Sequence, residues 1–69
     1  MITYDVIKSR IAEAIRQSGL SQTEISKKLN ITQPTISNYI AGRATPALDT
    51  FANLCAVLDA DPAYILGID

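Results

Sequence analysis

Apolar residues recur along this chain at spacings of three and four, and no segment alternates apolar and polar residues over the length of a strand. Spacings of three and four bring side chains onto one face of an α-helix. We therefore predict an all-α fold, a compact bundle of five helices that contains a helix-turn-helix.

Capping residues delimit the first two predicted helices. The first spans about Tyr4 to Gln17, and Gly19 then suits a left-handed cap. Ser21 and Glu24 form a capping box in which each side chain satisfies a free amide, so the second helix runs from there to about Leu29. The inner face of the first helix is predicted to carry Ile7, Ile11, Ala14 and Ile15.

The third predicted helix follows a sharp turn. Asn30 tolerates positive φ better than most residues, and Thr32 can cap the helix that follows. Pro34 falls in the first turn, where its missing N–H breaks no helical bond, and Gly42 ends the helix. Its inner side is predicted to hold Ile36, Tyr39 and Ile40.

Two further helices complete the predicted bundle. The fourth runs from about Ala47 to Leu58, and Asp61 followed by Pro62 begins a short fifth helix that ends at Gly67. The apolar stripe of the fourth helix is predicted to comprise Leu48, Phe51, Ala52, Leu54, Cys55 and Leu58.

Composition favours one cytoplasmic domain over residues 1 to 69. The longest apolar run, from Leu54 to Leu58, is far shorter than the roughly 20 residues of a membrane span, and the N-terminus lacks the pattern of a secretory signal. A single cysteine and no histidine give no internal disulfide and no usual zinc ligand set. We expect no metal and no cofactor.

Charge is unevenly distributed, although the net charge is only −1. All six basic residues lie within residues 1 to 43, beside three acidic ones, whereas residues 44 to 69 hold four acidic residues and no basic one. A small protein can acquire such a distribution by chance, but it also fits a chain with one side turned towards phosphates.

Residues 22 to 41 are predicted to form a helical hairpin whose second helix is offered to solvent. The exposed side chains there are uncharged donors and acceptors. An ordinary solvated helix face is one interpretation, and base recognition is the other, because amides bond adenine edges bidentately and hydroxyls reach several bases. The side chains concerned are Gln33, Thr35, Ser37 and Asn38.

These segments occur in the order typical of a known family. Residues 19 to 22 read GLSQ, and residues 31 to 37 read ITQPTIS, which resembles VSQSTIS. Tyr39 and Gly42 match the aromatic residue and the glycine of WExG, while residues 54 to 67 resemble LAKALGVSPDYLLG. Across nearly its whole length the chain resembles the lambda-repressor-like, XRE-type helix-turn-helix domains.

The resemblance implies that the third helix enters the major groove of DNA and that the second lies across the backbone. It implies phosphate contacts for Ser21, Gln22, Thr32 and Arg43. It implies base reading for Gln33, Pro34, Thr35, Ser37 and Asn38, with Pro34 limited to shape or a thymine methyl group.

The chain departs from the family pattern at three places, one of which is Pro34, where the family often has a residue that contacts a base. Ile15 and Ile40 replace an arginine and a glutamate that commonly bridge the first and third helices, so we predict that the two isoleucines touch. Ala47 stands where a capping serine is usual, and Thr45 is the expected substitute.

The leading functional hypothesis is a transcriptional regulator that represses by occupying double-stranded operator DNA as a homodimer. The alternative is an antitoxin-type module that binds a protein partner and autoregulates its operon. The sequence has no histidine and no glycine-rich phosphate loop, which disfavours an enzyme. The expected dimer patch consists of Tyr64, Leu66 and Ile68, whereas Ile65 is expected to close the bundle.

Overall fold

The computed structural model describes residues 1 to 68, and those residues contain five helices and no strand. The predicted all-α fold is confirmed, and α4 begins one residue later than the sequence indicated. The helices are α1 (Tyr4–Gln17), α2 (Gln22–Leu29), α3 (Gln33–Ala41), α4 (Leu48–Leu58) and α5 (Pro62–Leu66).

Side-chain caps begin α2 and α5 as the sequence predicts. Ser21 Oγ accepts from the Glu24 amide at 3.1 Å, and Glu24 Oε1 accepts from the Ser21 amide at 3.2 Å, which completes the capping box. Asp61 Oδ1 accepts from the Ala63 amide at 3.0 Å. Asn30 ends α2 in the left-handed conformation, with φ of 55°. Local hydrogen bonding therefore fixes these helix boundaries.

Neither predicted threonine caps its helix through a side-chain hydrogen bond, although Thr32 is the N-cap residue of α3 as predicted. Thr32 occupies the N-cap position of α3, but its side chain bonds no amide there, and its hydroxyl lies 2.8 Å from that of Thr35. Thr45 does not cap α4, because its hydroxyl bonds that of Tyr4. Each threonine hydroxyl forms a hydrogen bond with another hydroxyl and not with a free amide. Helices α3 and α4 therefore begin without a side-chain cap.

The core lies between the five helices, each of which contributes buried side chains. Helix α1 packs on α3 and α5, and α2 packs on α3 and α4. Burial of their aliphatic side chains is the main stabilising contribution, since the single cysteine is free. The buried apolar cluster comprises Ile11, Ile15, Ile25, Ile36, Tyr39, Phe51, Leu54, Cys55 and Ile65.

Two residues of the predicted α4 stripe lie outside the core. Leu48 is 84% exposed, and Ala52 is also exposed. Leu48 is the first residue of α4, and the buried residues of this helix begin only at Phe51. Ala52 lies about 100° around the helix from Phe51, which turns it away from the buried face. The buried face of α4 is therefore narrower than the apolar pattern suggested.

The two isoleucines that replace the family's ion pair both pack on this core. Ile15 is buried in the cluster, and Ile40 is half-buried and packs against it. Their helices, α1 and α3, pack on each other. This arrangement agrees with an apolar contact in place of the ion pair, and the direct touch between the two side chains remains a prediction.

The N-terminal segment packs on the end of α5. A Cβ added to Gly67 would lie 2.6 Å from Ile2 Cδ1, far closer than two carbon atoms can approach. Gly67 also has φ of +71°, a conformation that glycine adopts without steric cost. The backbone conformation therefore favours glycine at this position, and a larger residue would also require the Ile2 side chain to shift. Within residues 1 to 68, no helix is long and apolar enough to cross a bilayer.

Candidate nucleic-acid interface

The turn between α2 and α3 holds the outer face of α3 towards solvent. Ile25 on α2 and Ile36 on α3 are fully buried, and Ser26 is 6% exposed at the approach of the two helices. The Ile31 amide donates to the Ser26 carbonyl at 3.0 Å, which closes the turn. Burial of these apolar side chains fixes the rotation of α3, so its polar residues must face outwards.

Three polar side chains at the start of α2 and α3 form one network. Gln33 Nε2 donates to Gln22 Oε1 at 2.6 Å, and Ser37 Oγ donates to the same oxygen at 2.6 Å. Gln33 Nε2 also lies 3.3 Å from Ser37 Oγ. The network joins the first residue of α2 to the first two turns of α3. It therefore orders two long amide side chains before any ligand arrives.

A second polar pair lies at the other end of α3. Arg43 Nε donates to Asn38 Oδ1 at 3.1 Å, and the Arg43 amide donates to the Asn38 carbonyl at 3.0 Å. The side-chain bond uses only the oxygen of the Asn38 amide. Within residues 1 to 68, the amide nitrogen of Asn38 forms no side-chain hydrogen bond and can still donate. Arg43 keeps its terminal guanidinium nitrogens for an anion.

The candidate residues differ in exposure, although none of them is buried. Gln33, the predicted base reader, is exposed, whereas Asn38 is half-buried beside Arg43. The exposed group comprises Ser21, Thr32, Gln33, Pro34 and Arg43. The half-buried group comprises Gln22, Thr35, Ser37 and Asn38.

Sequence reasoning missed the network of Gln22, Gln33 and Ser37. The i, i+4 spacing of Gln33 and Ser37 was the only available signal, because Gln22 belongs to another helix. Its place beside Gln33 depends on how α2 and α3 cross, which no local pattern encodes. Burial of Ile25 and Ile36 sets that crossing.

The basic residues divide between this face and other parts of the molecule. Lys27 and Lys28 are exposed in the last turn of α2, the first helix of the hairpin. Lys8 Nζ instead lies 3.5 Å from Asp5 Oδ1. Arg10 lies over the Tyr64 ring, 4.4 Å from its centroid, and bonds the Tyr64 carbonyl. Arg10 thus stabilises the packing of α1 on α5.

The expected dimer patch at the C-terminal end is only partly free. Tyr64 is 47% exposed and Ile68 is 74% exposed, but Leu66 is half-buried and packs against the core. Ile65 is buried and closes the bundle as predicted. Tyr64 and Ile68 are therefore the two residues of this patch with most surface to offer a partner.

The described residues contain no group of His, Cys, Asp and Glu side chains placed to hold a metal ion. Cys55 is buried and free. Burial raises the pKa of its thiol, and the charge of Asp61 raises it further. A thiol in this state is a small apolar core group, as the sequence predicted.

Comparison with known proteins identifies the same helix-turn-helix that the packing of α2 on α3 shows. A family model described as helix-turn-helix matches residues 11–65. The HTH-type transcriptional regulator ImmR of Bacillus subtilis (strain 168) is 35% identical over 60 residues, which make up 87% of this chain and 47% of that protein. The chain thus spans about half the length of that relative, and no solved structure matches it significantly. The chain belongs to the XRE-type, lambda-repressor-like family of helix-turn-helix domains.

Proposed function

We propose that this chain binds double-stranded DNA sequence-specifically and regulates transcription, as a repressor that occupies an operator. One observation carries the proposal: α3 turns a neutral face of amides and hydroxyls outwards while Ile36 and Tyr39 anchor its other face in the core. A helix of this kind fits the major groove, where amide and hydroxyl groups match base edges. Family membership and the transcriptional regulator ImmR support the same function.

Phosphate contacts come from the residues around α3. Gln22 is the first residue of α2, where free amides and the helix dipole favour an anion. Ser21 and Thr32 present hydroxyls at the starts of α2 and α3, and Arg43 follows the end of α3. In this arrangement α2 lies across the backbone, and Arg43 reaches the phosphates beyond the groove.

Base reading comes from the outer face of α3. Gln33 and Asn38 carry the amides, and Thr35 adds a hydroxyl between them. Pro34 is exposed and has no donor, so it contributes shape or contact with a thymine methyl group. The Ser37 hydroxyl lies behind Gln33 and against Gln22.

Alanine variants of Gln33 and Arg43 test the division between base and phosphate contacts. Gln33→Ala should cost about 1–3 kcal/mol on the cognate site and relax the preference at one base pair. Arg43→Ala should weaken binding to all sequences alike, because a phosphate carries no sequence information. Binding-site selection from random duplexes followed by anisotropy titration on cognate and scrambled DNA measures both. Equal losses on the two DNAs for Gln33→Ala would contradict its role.

We further propose that two copies bind one operator. Two copies related by a two-fold axis would place their α3 helices in successive major grooves, roughly 34 Å apart. The exposed Tyr64 and Ile68 are the apolar surface available for the contact between copies. Light scattering should find two protomers on a palindromic site and a weakened pair for Ile68→Lys, with Leu48→Lys as an exposed apolar control on α4. A single protomer on saturated palindromic DNA would exclude the dimer.

A protein partner is the second candidate, and it could accompany DNA binding. A groove of about 260 Å³ between α1 and the α4–α5 turn is lined by three acidic side chains, Glu13, Asp59 and Asp61, and by one basic side chain, Arg10, so its charge is acidic on balance. Such a surface suits a basic partner, as an antitoxin-type role would require. A basic protein encoded beside this gene that binds the chain, and loses affinity for Asp59→Lys, would support this candidate.

Binding alone accounts for repression, so this proposal assigns the chain no catalytic step. A protein at a promoter acts by occupying the site. The cytoplasmic location expected from the sequence belongs to the same proposal, because bacterial operators lie in that compartment.

A further inference from the structure

The loop between α3 and α4 carries Arg43, and backbone hydrogen bonds hold only its two ends. The Arg43 amide donates to the Asn38 carbonyl, and the Phe51 amide donates to the Ala47 carbonyl. Within residues 1 to 68, no backbone hydrogen bond joins residues 44 to 46 to any other residue. Helix α4 also begins without a side-chain cap. Backbone hydrogen bonds therefore do not fix the middle of this loop.

One side-chain hydrogen bond joins the middle of the loop to α1. The hydroxyl of Tyr4 bonds the hydroxyl of Thr45, which lies 41 positions further along the chain. Tyr4 is the first residue of α1, and Thr45 comes two positions after Arg43. This bond therefore fixes the loop close to the side chain for which we propose a phosphate contact.

The tyrosine in this bond has contacts of its own within α1. Lys8 follows Tyr4 by four positions, which places the two side chains on one face of the helix. Lys8 Nζ lies 5.0 Å from the centroid of the Tyr4 ring and 3.5 Å from Asp5 Oδ1. A cation over an aromatic face is attractive, so these contacts favour one orientation of the ring. The ring is thus oriented by α1 and not by the loop.

We propose that Tyr4 is a positioning residue for the phosphate contact of Arg43. The inference rests on the proposed DNA-binding function and deepens it, because it names the residue that orders the loop before DNA arrives. Ordering a loop during binding costs free energy, and a loop that is ordered beforehand avoids that cost. Tyr4 needs no contact with the DNA for this role.

The contribution of Tyr4 should be independent of base sequence. Contacts with phosphates orient a protein on the duplex but carry no sequence information. An ordered Arg43 loop therefore raises the affinity for every duplex in the same proportion. The ratio of affinities between two duplexes depends instead on the base-reading side chains of α3.

The experiment measures dissociation constants by anisotropy on a duplex with one half-site, obtained by binding selection, and on its scrambled form. Tyr4→Phe removes the hydroxyl and keeps the ring beside Lys8. Thr45→Val removes the partner hydroxyl, and Thr45→Ser retains it. Ser9→Ala is the matched control, because it removes an exposed hydroxyl elsewhere on α1. Tyr4→Phe is also measured in an Arg43→Ala background.

Tyr4→Phe and Thr45→Val should each weaken binding to both duplexes by about threefold to tenfold, with the ratio of the two affinities unchanged. Thr45→Ser should retain the wild-type affinity, and so should Ser9→Ala. In the Arg43→Ala background, Tyr4→Phe should cause no further loss, because the contact that it positions is already absent. A general loss of stability would lower the affinity in both backgrounds.

Wild-type affinity for Tyr4→Phe would overturn the inference. An equal loss in the Arg43→Ala background would also overturn it, and so would a loss confined to the cognate duplex. A wild-type chain that binds cognate and scrambled duplexes equally would instead overturn the proposed function. Thermal denaturation followed by circular dichroism checks that Tyr4→Phe and Thr45→Val are folded at the temperature of the titrations.

Discussion

Cys55 and Tyr39 are ionisable residues placed in an apolar core. Burial raises the pKa of the Cys55 thiol above its ordinary 9.0, with a further contribution from Asp61, and burial raises the pKa of Tyr39 above 10.0. In the unfolded chain both groups lose their protons at the ordinary values, whereas the folded chain retains them. The stabilisation is therefore complete below about pH 9 and is lost as pH rises through the raised folded-state values.

Urea denaturation at pH 7 and pH 10 measures this effect. The free energy of unfolding should fall between the two pH values, and the fall should be smaller for the variant with Cys55→Ala and Tyr39→Phe. Every other ionisable group is common to both proteins, so the difference between them isolates the two core groups. An equal fall in both proteins would show that burial does not hold these protons.

Helix α2 begins with a side-chain cap and α3 does not. We therefore predict that alanine at the two N-cap positions lowers the stability of the protein by different amounts. Ser21 bonds the Glu24 amide at 3.1 Å, whereas the side chain of Thr32 bonds no amide of α3. Ser21→Ala should cost about 1 kcal/mol of stability, and Thr32→Ala should cost clearly less. Thermal or urea denaturation of the two variants measures the difference, and equal losses would contradict the assignment of caps.

Boundaries of helices were predictable because their signals are local. Ser21 with Glu24, Asn30 and Asp61 act within one turn of their own positions, and α2 and α5 begin as they indicate. Thr32 holds the N-cap position as predicted, but the side-chain caps expected from Thr32 and Thr45 do not form, because their hydroxyls bond Thr35 and Tyr4 instead. Tyr4 lies 41 positions from Thr45, so only the folded chain brings these two hydroxyls together. Thr35 lies within one turn of Thr32, and the competition there is local.

The face of a helix is harder to predict than its extent. Leu48 fits the spacing of the α4 stripe, yet it is exposed because burial depends on which elements cover each turn. The hydrogen bonds of Gln22, Gln33 and Ser37 also depend on how the helices pack. Gln22 and Gln33 lie eleven positions apart in sequence, and the packing of α2 on α3 brings Gln33 Nε2 to 2.6 Å from Gln22 Oε1. Residue types on the α3 face were evident from sequence, but their pairing was not.

Over the whole molecule, few basic residues are available to the DNA. Arg43, Lys27 and Lys28 lie on or next to the hairpin, whereas Arg10 is engaged with Tyr64 on α5. Each phosphate neutralised by a basic side chain contributes about −0.9 to the slope of log affinity against log salt, so we expect at most roughly −3 per protomer. Anisotropy titration between low and physiological salt measures the slope. A much steeper value would require phosphate contacts from helix α1.

The contact of Ile2 with Gly67 places two segments that are far apart in sequence next to each other. A short peptide could therefore join the two ends of the domain, with new ends opened in an exposed turn between helices. Such a circularly permuted chain would keep every helix whole and would move the sites available for fusion to a different side of the molecule.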